Sequence, residues 1–247
     1  MNKLLEIKNL SKNYNTKMGE VKAIDNISFD VYDKEFLCII GSSGCGKSTL
    51  LNILANLDYL SEGEIIKNND LKIGYMLQED CLLPWLNILD NATLGLDIMH
   101  IKTEENIKYV KNLLEKYGLG DFLEKYPNQL SGGMRQRVAL IRTLATKPDI
   151  LLLDEPFSAL DYMSRLMVSE DVSKIIKNEK KTVVMITHDI AEALSLADRI
   201  IVLSKRPAVI KKIYNIDIEG TTPMERRKSS KFAPYYDLLW KELDKNV

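Results

Sequence analysis

The sequence predicts an α/β fold with a mostly parallel central sheet, an N-terminal antiparallel β-subdomain and an inserted α-helical subdomain. The parallel sheet is predicted by four short, continuously apolar runs, at residues 36–40, 150–153, 183–186 and 200–203. A strand that is covered by helices on both faces must be apolar on both faces. Helical stretches between these runs give the alternation of strand and helix that is typical of a doubly wound sheet.

The N-terminal third predicts the antiparallel sheet. Apolar residues alternate with polar ones there, first at Leu5 and Ile7 and later at Ile27, Phe29 and Val31. A period of two places the apolar side chains of a strand on one face. We therefore expect strands with one face on a core and the other in water.

The middle of the chain, at about residues 81–136, predicts the helical subdomain. Ile107, Val110 and Leu114 recur at helical spacing behind Thr103, a residue type that caps helices. We expect the main domain to span residues 1–210 with this insertion, and residues 211–247 to form a C-terminal extension. Helical periodicity over residues 232–243 predicts a docked terminal helix.

Composition and charge exclude several classes of function. The 247 residues carry 34 Lys and Arg against 35 Asp and Glu, so no positive surplus indicates a nucleic-acid partner. No apolar run approaches the roughly 20 residues of a membrane span or the stretch in a secretory signal, which predicts a cytoplasmic protein. Three irregularly spaced cysteines predict neither a disulfide framework nor a zinc site.

Residues 41–48 read GSSGCGKS and match the phosphate-binding pattern G-x-x-x-x-G-K-[ST]. The pattern follows an apolar strand and precedes a helical stretch, which is the context that it requires. Backbone N–H groups turn toward phosphate oxygens there, and the helix N-terminus adds its positive dipole end. Lys47 is predicted to contact the β- and γ-phosphates, and Ser48 to hold Mg²⁺. The predicted nucleotide-binding residues of this segment are Gly41, Ser42, Ser43, Gly44, Cys45, Gly46, Lys47, Ser48 and Thr49.

Two adjacent carboxylates, Asp154 and Glu155, follow the apolar run at residues 150–153. Ligands of open α/β sheets bind at the carboxyl ends of the strands. Because successive side chains diverge, Asp154 can hold Mg²⁺ through water while Glu155 polarises an attacking water. The pair therefore predicts nucleotide hydrolysis, and the absence of the guanine-binding tetrad Asn-Lys-x-Asp disfavours a GTPase.

A second glycine-containing loop, Ser131-Gly132-Gly133, opens a helical stretch and offers another phosphate-receptive helix start. With this loop the chain resembles the P-loop NTPases of the ATP-binding-cassette (ABC) transporter family along nearly its whole length. Tyr14 matches the aromatic residue that stacks on adenine in that family, and Gln78 matches the Q-loop. The second loop matches the signature, Asp161 ends the D-loop and His188 matches the switch histidine.

The resemblance implies the roles of these residues. Glu155 and His188 are implied to be catalytic, with His188 contacting the γ-phosphate and positioning the water. Which of the two accepts the proton is left open by the sequence. The implied Mg²⁺ ligands are Ser48, Gln78 and Asp154.

The resemblance also implies partners. Two ATP molecules are expected to lie between two such ATPase subunits, which we expect to be copies of this chain, with the signature of each facing the nucleotide of the other. Integral-membrane permease subunits would hold the dimer at the cytoplasmic side of the membrane, as a peripheral protein. An extracytoplasmic substrate-binding protein would act through the permease. ATP and Mg²⁺ are the expected cofactors.

The segment LLPWLNILDNATLGL, with the motifs above, resembles importers of nitrate, sulfonates, taurine and bicarbonate. Importers of thiamine precursors or riboflavin look similar and remain alternatives for the cargo. Chromosome and nucleic-acid ATPases of the same superfamily are the alternative class. They usually insert long heptad-repeat coiled coils or carry paired cassettes, and these 247 residues hold neither. A catalytically dead subunit is disfavoured by the presence of Lys47, Glu155 and His188.

Residues 82–86, LLPWL, are unusually apolar for a segment that follows a polar loop. One interpretation is burial within the helical subdomain. The other is a groove that accepts a cytoplasmic helix of the permease, with Trp85 or Leu86 as anchors. We favour the groove for at least part of the segment.

Overall fold

The computed structural model describes residues 2–17 and 19–244. The chain forms two compact units: the first holds the residues up to Leu71 and from Lys181 onward, and the second holds Lys72–Lys180. The strands are β1 (Lys3–Thr16), β2 (Gly19–Tyr32), β3 (Phe36–Ile40), β4 (Glu62–Lys67), β5 (Ile73–Met76), β6 (Ile150–Asp154), β7 (Thr182–Thr187), β8 (Arg199–Leu203) and β9 (Ile210–Asn215). The α-helices are α1 (Lys47–Leu54), α2 (Ile88–Ile98), α3 (Glu104–Lys116), α4 (Gly132–Ala145), α5 (Tyr162–Asn178), α6 (Ile190–Leu196), α7 (Pro223–Lys228) and α8 (Phe232–Asp244).

The first unit contains the predicted antiparallel sheet, with the strand order β2-β1-β4. Leu5, Ile7, Ile27 and Val31 are at most 1% exposed, so the alternation in the sequence does mark the buried face. Strand β4 is not predicted by the sequence. Its residues are all exposed or half-buried, and a strand without a buried face leaves no apolar period.

The first unit also contains a parallel sheet around β3. Strand β3 pairs in parallel with β7 on one side and with β8 on the other, and β9 adds an antiparallel edge next to β8. Every residue of β3 and β7 is buried, as continuously apolar runs require. The predicted α/β class is confirmed. The antiparallel edge strand β9 is not predicted by the sequence.

The second unit joins a parallel pair of strands to the helical subdomain. Strand β5 pairs with β6, and Tyr75 lies opposite Leu152 in the register. Helices α2, α3 and α4 pack on one another, and Thr103 caps α3 by accepting a hydrogen bond from the Asn106 backbone N–H. Helices α2 and α3 lie within the predicted insertion at 81–136, and the predicted domain boundaries stay predictions.

The residues after β9 form the helices α7 and α8, which both pack against α6. Thr222 and Glu225 form a capping box at the start of α7. The buried guanidinium of Arg226 donates a hydrogen bond to the carbonyl oxygen of Ala197 at 2.7 Å, just beyond the end of α6. Leu239 of α8 is fully buried. The C-terminal segment is therefore anchored to the first unit. Among the described residues, no helix has the length and apolar character needed to cross a bilayer.

Candidate functional site: a phosphate-binding loop and a carboxylate-bearing strand end

The predicted phosphate-binding loop lies between β3 and α1 of the first unit. Helix α1 begins at Lys47, so the backbone N–H groups of its first turn face the loop. The Lys47 side chain folds back over the loop, and its Nζ donates hydrogen bonds to the carbonyl oxygens of Gly41 at 2.8 Å and Ser42 at 3.1 Å. Lys47 is only 5% exposed. The loop therefore holds its cation close to the place where phosphate is predicted to bind.

Two glycines of the loop are required by the backbone. Gly44 and Gly46 have φ angles of +73° and +123°, which side-chain-bearing residues rarely adopt. A Cβ on Gly46 would also lie 3.1 Å from the Ala23 carbonyl oxygen. Cys45 sits between them, buried, and its burial raises the pKa of the thiol. The thiol is therefore protonated at neutral pH.

Tyr14 lies on β1 with a side chain that is 38% exposed, so it is not a core residue. Its hydroxyl donates a hydrogen bond to Asp58 Oδ2 at 2.7 Å. His188 follows β7 and is exposed. The next residue, Asp189, caps α6 by accepting hydrogen bonds from the N–H groups of Ala191 and Glu192. The Asp58 hydrogen bond holds the hydroxyl of the predicted adenine platform, and the Asp189 cap fixes the backbone that follows the predicted switch histidine.

The second unit carries the two predicted carboxylates at the end of β6. Asp154 is buried and accepts a hydrogen bond from the Tyr75 hydroxyl at 3.1 Å. Burial and the Asp154 charge raise the pKa of Tyr75, so the phenol stays a donor. Glu155 has a φ of +43°, a strained conformation for a glutamate. The backbone therefore leaves the extended conformation of β6 directly after Asp154.

The predicted Q-loop is tied to the same turn. The Gln78 amide donates to Ser158 Oγ at 3.1 Å, and Ser158 Oγ donates to the Glu155 carbonyl oxygen at 3.0 Å. Ser158 therefore links Gln78 with Glu155. Neither Tyr75 nor Ser158 is predicted as a site residue, because each contacts its partner only after the chain has folded.

The predicted signature lies at the start of α4. Ser131 is the N-cap residue and accepts a hydrogen bond from the Met134 N–H at 3.3 Å. A Cβ on Gly132 would lie 3.0 Å from Leu160 Cδ2, and one on Gly133 only 2.6 Å from Val168 Cγ2. Gly133 thus allows the close approach of α4 to α5, and Gly132 leaves room for Leu160.

Asp161 caps the neighbouring helix α5. Its carboxylate accepts hydrogen bonds from the backbone N–H groups of Met163 and Ser164. The hydrogen bonds from Ser164, and then that from Met163, lower the pKa of Asp161. The signature and the D-loop are therefore ordered as one local arrangement within the second unit.

The donor set of the structure fits Mg²⁺ bound together with a nucleotide. Within residues 2–17 and 19–244, no group of three or more His, Cys, Asp or Glu side chains could by itself hold a metal ion. Mg²⁺ is usually bound by one or two carboxylates together with phosphate oxygens and water. A single buried carboxylate at Asp154 fits that kind of site and does not fit an all-protein metal cage.

The segment at residues 82–86 is partly buried and partly exposed. Leu82 is 8% exposed and belongs to the core, whereas Trp85 is 70% exposed. The buried amide of Asn91 donates to the carbonyl oxygens of Leu83 and Leu86, and its Oδ1 accepts from the Leu83 N–H at 2.7 Å. Asn91 thus holds the backbone of the segment in place, and the indole of Trp85 is exposed to solvent.

The sequence of this chain is similar to those of known transport proteins. A sequence family described as ABC transporter matches residues 24–158. An uncharacterised ABC transporter ATP-binding protein of Methanocaldococcus jannaschii is 45% identical over 87% of this chain and 83% of its own length. A nitrate transport protein of Klebsiella oxytoca is 37% identical over 96% of this chain and 94% of its own length. Further relatives are named for bicarbonate transport in Synechocystis, taurine import in Rhizobium johnstonii and aliphatic sulfonate import in Bacillus cereus, at 38–40% identity.

Among solved structures, a dimeric ATP-binding cassette in a post-hydrolysis state, bound to ADP and Pi, is similar to this chain. The TM-score is 0.73 and the sequence identity 35%, over 87% of this chain and 99% of the cassette. The similarity therefore extends over almost the whole of a structure whose bound products are those of ATP hydrolysis.

Proposed function

This chain belongs to the ABC transporter family, and from that premise we propose that it energises the import of a small anion. It is an ATP-binding subunit whose hydrolysis of ATP powers transport. The observation that carries this function is the buried Lys47 over a glycine loop between β3 and α1, in a chain with relatives named for nitrate transport and for taurine import by an ATP-binding protein. The names of four relatives, for nitrate, bicarbonate, taurine and sulfonate, support an anionic cargo.

We propose that the phosphate-binding loop residues 41–49 and Lys47 bind the triphosphate. A charged ammonium forms stronger hydrogen bonds to phosphate than a neutral donor does. Ser48, Asp154 and Gln78 would hold Mg²⁺, which when bound neutralises charge that develops on the phosphate oxygens. Tyr14 would stack on the adenine base.

Glu155 is the proposed general base, which orients and deprotonates the attacking water. Its backbone turn after Asp154, with a φ of +43°, supports a separate task for each carboxylate. His188 would contact the γ-phosphate. Ser131, Gly132, Gly133 and Asp161 would meet the nucleotide of a second ATPase subunit, so that ATP favours the closed dimer and hydrolysis releases it. The dimeric form of the similar cassette supports this pairing.

We propose that the dimer binds permease subunits at the cytoplasmic side of the membrane, and that a substrate-binding protein delivers the anion to the permease. Trp85 is the proposed anchor for the permease. Exposed aromatic side chains on a fixed backbone are typical of interface hot spots, and the Asn91 hydrogen bonds supply that fixed backbone.

Replacement of Trp85 by alanine is expected to abolish most transport and to leave ATP binding intact. An interface hot spot contributes about 2 kcal/mol or more, which lowers complex affinity by at least about 30-fold. ATP-driven uptake into vesicles with the assembled transporter measures the first effect, and nucleotide titration of the isolated subunit measures the second. The Ile98→Ala variant is the control, because Ile98 is 69% exposed, much as Trp85 is, and lies on α2 of the same unit; it should leave transport and ATP binding unchanged.

The contrary outcome for Trp85 is loss of stability. If the indole packed in a core, the variant would unfold several degrees lower, at about 2–4 °C per kcal/mol for a chain of this size. Such a shift with normal transport at lower temperature would contradict the docking role.

The cargo is tested by uptake in cells that lack this subunit. Uptake of labelled nitrate, taurine, an alkanesulfonate and bicarbonate is compared between cells complemented with the wild-type chain and with a Lys47→Ala chain. We expect one of these anions to be imported only with the wild-type chain. Normal uptake of all four in the deletion strain, with a defect for a thiamine precursor or riboflavin, would overturn the anion proposal.

A further inference from the structure

Tyr14 belongs to a cluster with two residues that the predicted site does not include, Lys12 and Asp58. The Tyr14 hydroxyl donates to Asp58 Oδ2 at 2.7 Å, and Lys12 Nζ lies 2.6 Å from Asp58 Oδ1. Lys12 Nζ also lies 4.8 Å from the centroid of the Tyr14 ring. The three side chains therefore contact one another in all three pairs, although Asp58 is 44 residues away from Tyr14.

The cluster is held by the backbone as well. Lys12 Nζ donates to the carbonyl oxygen of Tyr59 at 2.6 Å, and the Tyr59 N–H donates to Asp58 Oδ1 at 2.7 Å. Lys12 is 7% exposed, so its ammonium is fixed in a largely buried place. Hydrogen bonding from Lys12, and then from Tyr14, lowers the pKa of Asp58. The carboxylate is therefore charged at neutral pH, and the ion pair carries no net charge.

These contacts restrict the Tyr14 ring from two directions. The hydrogen bond to Asp58 fixes the hydroxyl end, and the Lys12 ammonium covers one face through a cation–π contact. With one face covered, a flat ligand can stack only on the other. Restriction of a side chain before binding strengthens the complex, because less conformational entropy is lost when the ligand arrives.

We infer that Lys12 and Asp58 are positioning residues that hold Tyr14 ready for adenine, and so set the preference of this subunit for ATP over phosphate chains without a base. The inference rests on the proposed role of Tyr14 in stacking on adenine. It adds two residues whose contact with the nucleotide is indirect. Their effect is confined to the base, because they act through the Tyr14 ring, whereas the Lys47 ammonium is held separately by the carbonyl oxygens of Gly41 and Ser42.

The test compares the dissociation constants of ATP and of inorganic tripolyphosphate, both by equilibrium titration without Mg²⁺ so that no hydrolysis occurs. Stacking of one base on an aromatic ring contributes about 5- to 150-fold in affinity. We expect Tyr14→Ala to lower the affinity for ATP at least about 5-fold. Lys12→Met and Asp58→Asn should each lower it about 3- to 10-fold. Tripolyphosphate affinity should stay within about twofold of the wild type, because this ligand has no base that could stack on Tyr14.

The two positioning variants also separate geometry from electrostatics. Lys12→Met removes a positive charge and Asp58→Asn a negative one, so a purely electrostatic effect would change anion affinity in opposite directions. A positioning role predicts weaker ATP binding in both variants. Lys22→Met is the matched control, because Lys22 forms an exposed ion pair with Asp25 at 2.6 Å on β2, and it should leave both ligands unaffected.

Failure of the inference differs from failure of the proposed function. If Tyr14→Ala leaves the ratio of the two dissociation constants unchanged, Tyr14 does not stack on adenine. If Tyr14→Ala lowers ATP affinity selectively but Lys12→Met and Asp58→Asn do not, the positioning inference is overturned. Should Lys12→Met fail to fold, the variants Tyr14→Phe and Asp58→Asn and their combination provide the test. A positioning role predicts that the combined variant binds ATP no more weakly than the weaker of the two single variants. Additive losses of affinity overturn the positioning inference.

Discussion

The Glu155→Gln variant is expected to bind ATP and to hydrolyse it about 10²- to 10⁴-fold more slowly than the wild type, the usual contribution of a general base. The amide keeps the shape of the carboxylate but cannot accept a proton. The proposed phosphate and Mg²⁺ ligands Lys47, Ser48 and Asp154 are unchanged in this variant. Binding and catalysis should therefore separate, and release of inorganic phosphate under saturating ATP measures the rate.

The same variant should accumulate as an ATP-bound dimer. Without hydrolysis, the nucleotide that favours the closed pair is not consumed, and the lost negative charge lowers repulsion with the γ-phosphate. Light scattering with quantitation of bound nucleotide should give a dimer with about two ATP molecules, one for each of the two sites that the family resemblance implies. Glu124→Gln, an exposed change of the same kind in the second unit, is the control and should cycle like the wild type.

Two outcomes would count against this account of Glu155. Hydrolysis at the wild-type rate would remove Glu155 from the mechanism. An ATP-loaded variant that stays monomeric at high concentration would contradict ATP-driven pairing of the isolated subunit, and repetition with the permease present would then show whether the membrane subunits are needed to raise the local concentration.

The Lys47→Ala variant is expected to lose most of its affinity for ATP. Each hydrogen bond to a charged group contributes about 1.5–3 kcal/mol, so loss of the ammonium should raise the dissociation constant by roughly 10- to 100-fold or more. Tripolyphosphate binding should be weakened to the same extent, because the proposed contact of Lys47 is with phosphate and not with the base. This pattern is opposite to the one expected for the Tyr14 cluster.

The fold should survive the change at Lys47. The carbonyl oxygens of Gly41 and Ser42 lose a donor but lie in a loop that water can reach once the long side chain is gone. Circular dichroism and thermal unfolding establish that the variant is folded, and Lys228→Ala, an exposed lysine of the same unit, controls for lost charge. Wild-type affinity in a folded Lys47→Ala protein would refute the assignment of the loop.

Features that depend on neighbouring residues could be predicted from the sequence. The phosphate-binding loop is a continuous segment at residues 41–48, and its glycines and lysine act through the backbone next to them. The strands β3, β6, β7 and β8 were predicted because burial on both faces demands a continuously apolar run. In contrast, β4 and β5 leave no such run in the sequence. Strand β4 is mostly exposed. Strand β5 has only four residues, one of which is Gly74, where a Cβ would lie 2.8 Å from Thr143 Cγ2.

A tyrosine, a glutamine or a histidine does not by itself indicate a function. The roles of Tyr14, Gln78 and His188 are predicted because they occur in the same order along the chain as the matching motifs of the family. What holds them in place was decided only by the tertiary structure. Ser158 links Gln78 to the turn at Glu155 across 80 residues of sequence.

By itself the sequence determined the class of fold, the phosphate-binding loop, the adjacent carboxylates and the lack of a positive surplus, because each depends on composition or on consecutive residues. Only the tertiary structure decided that Leu82 is buried while Trp85 is exposed, and that Lys12 and Asp58 meet around Tyr14. The physical reason is that burial and side-chain contacts depend on which distant segments the fold brings together. A buried lysine is stable where a carboxylate and a carbonyl compensate for its lost water, and no pattern along the chain records where those partners will lie.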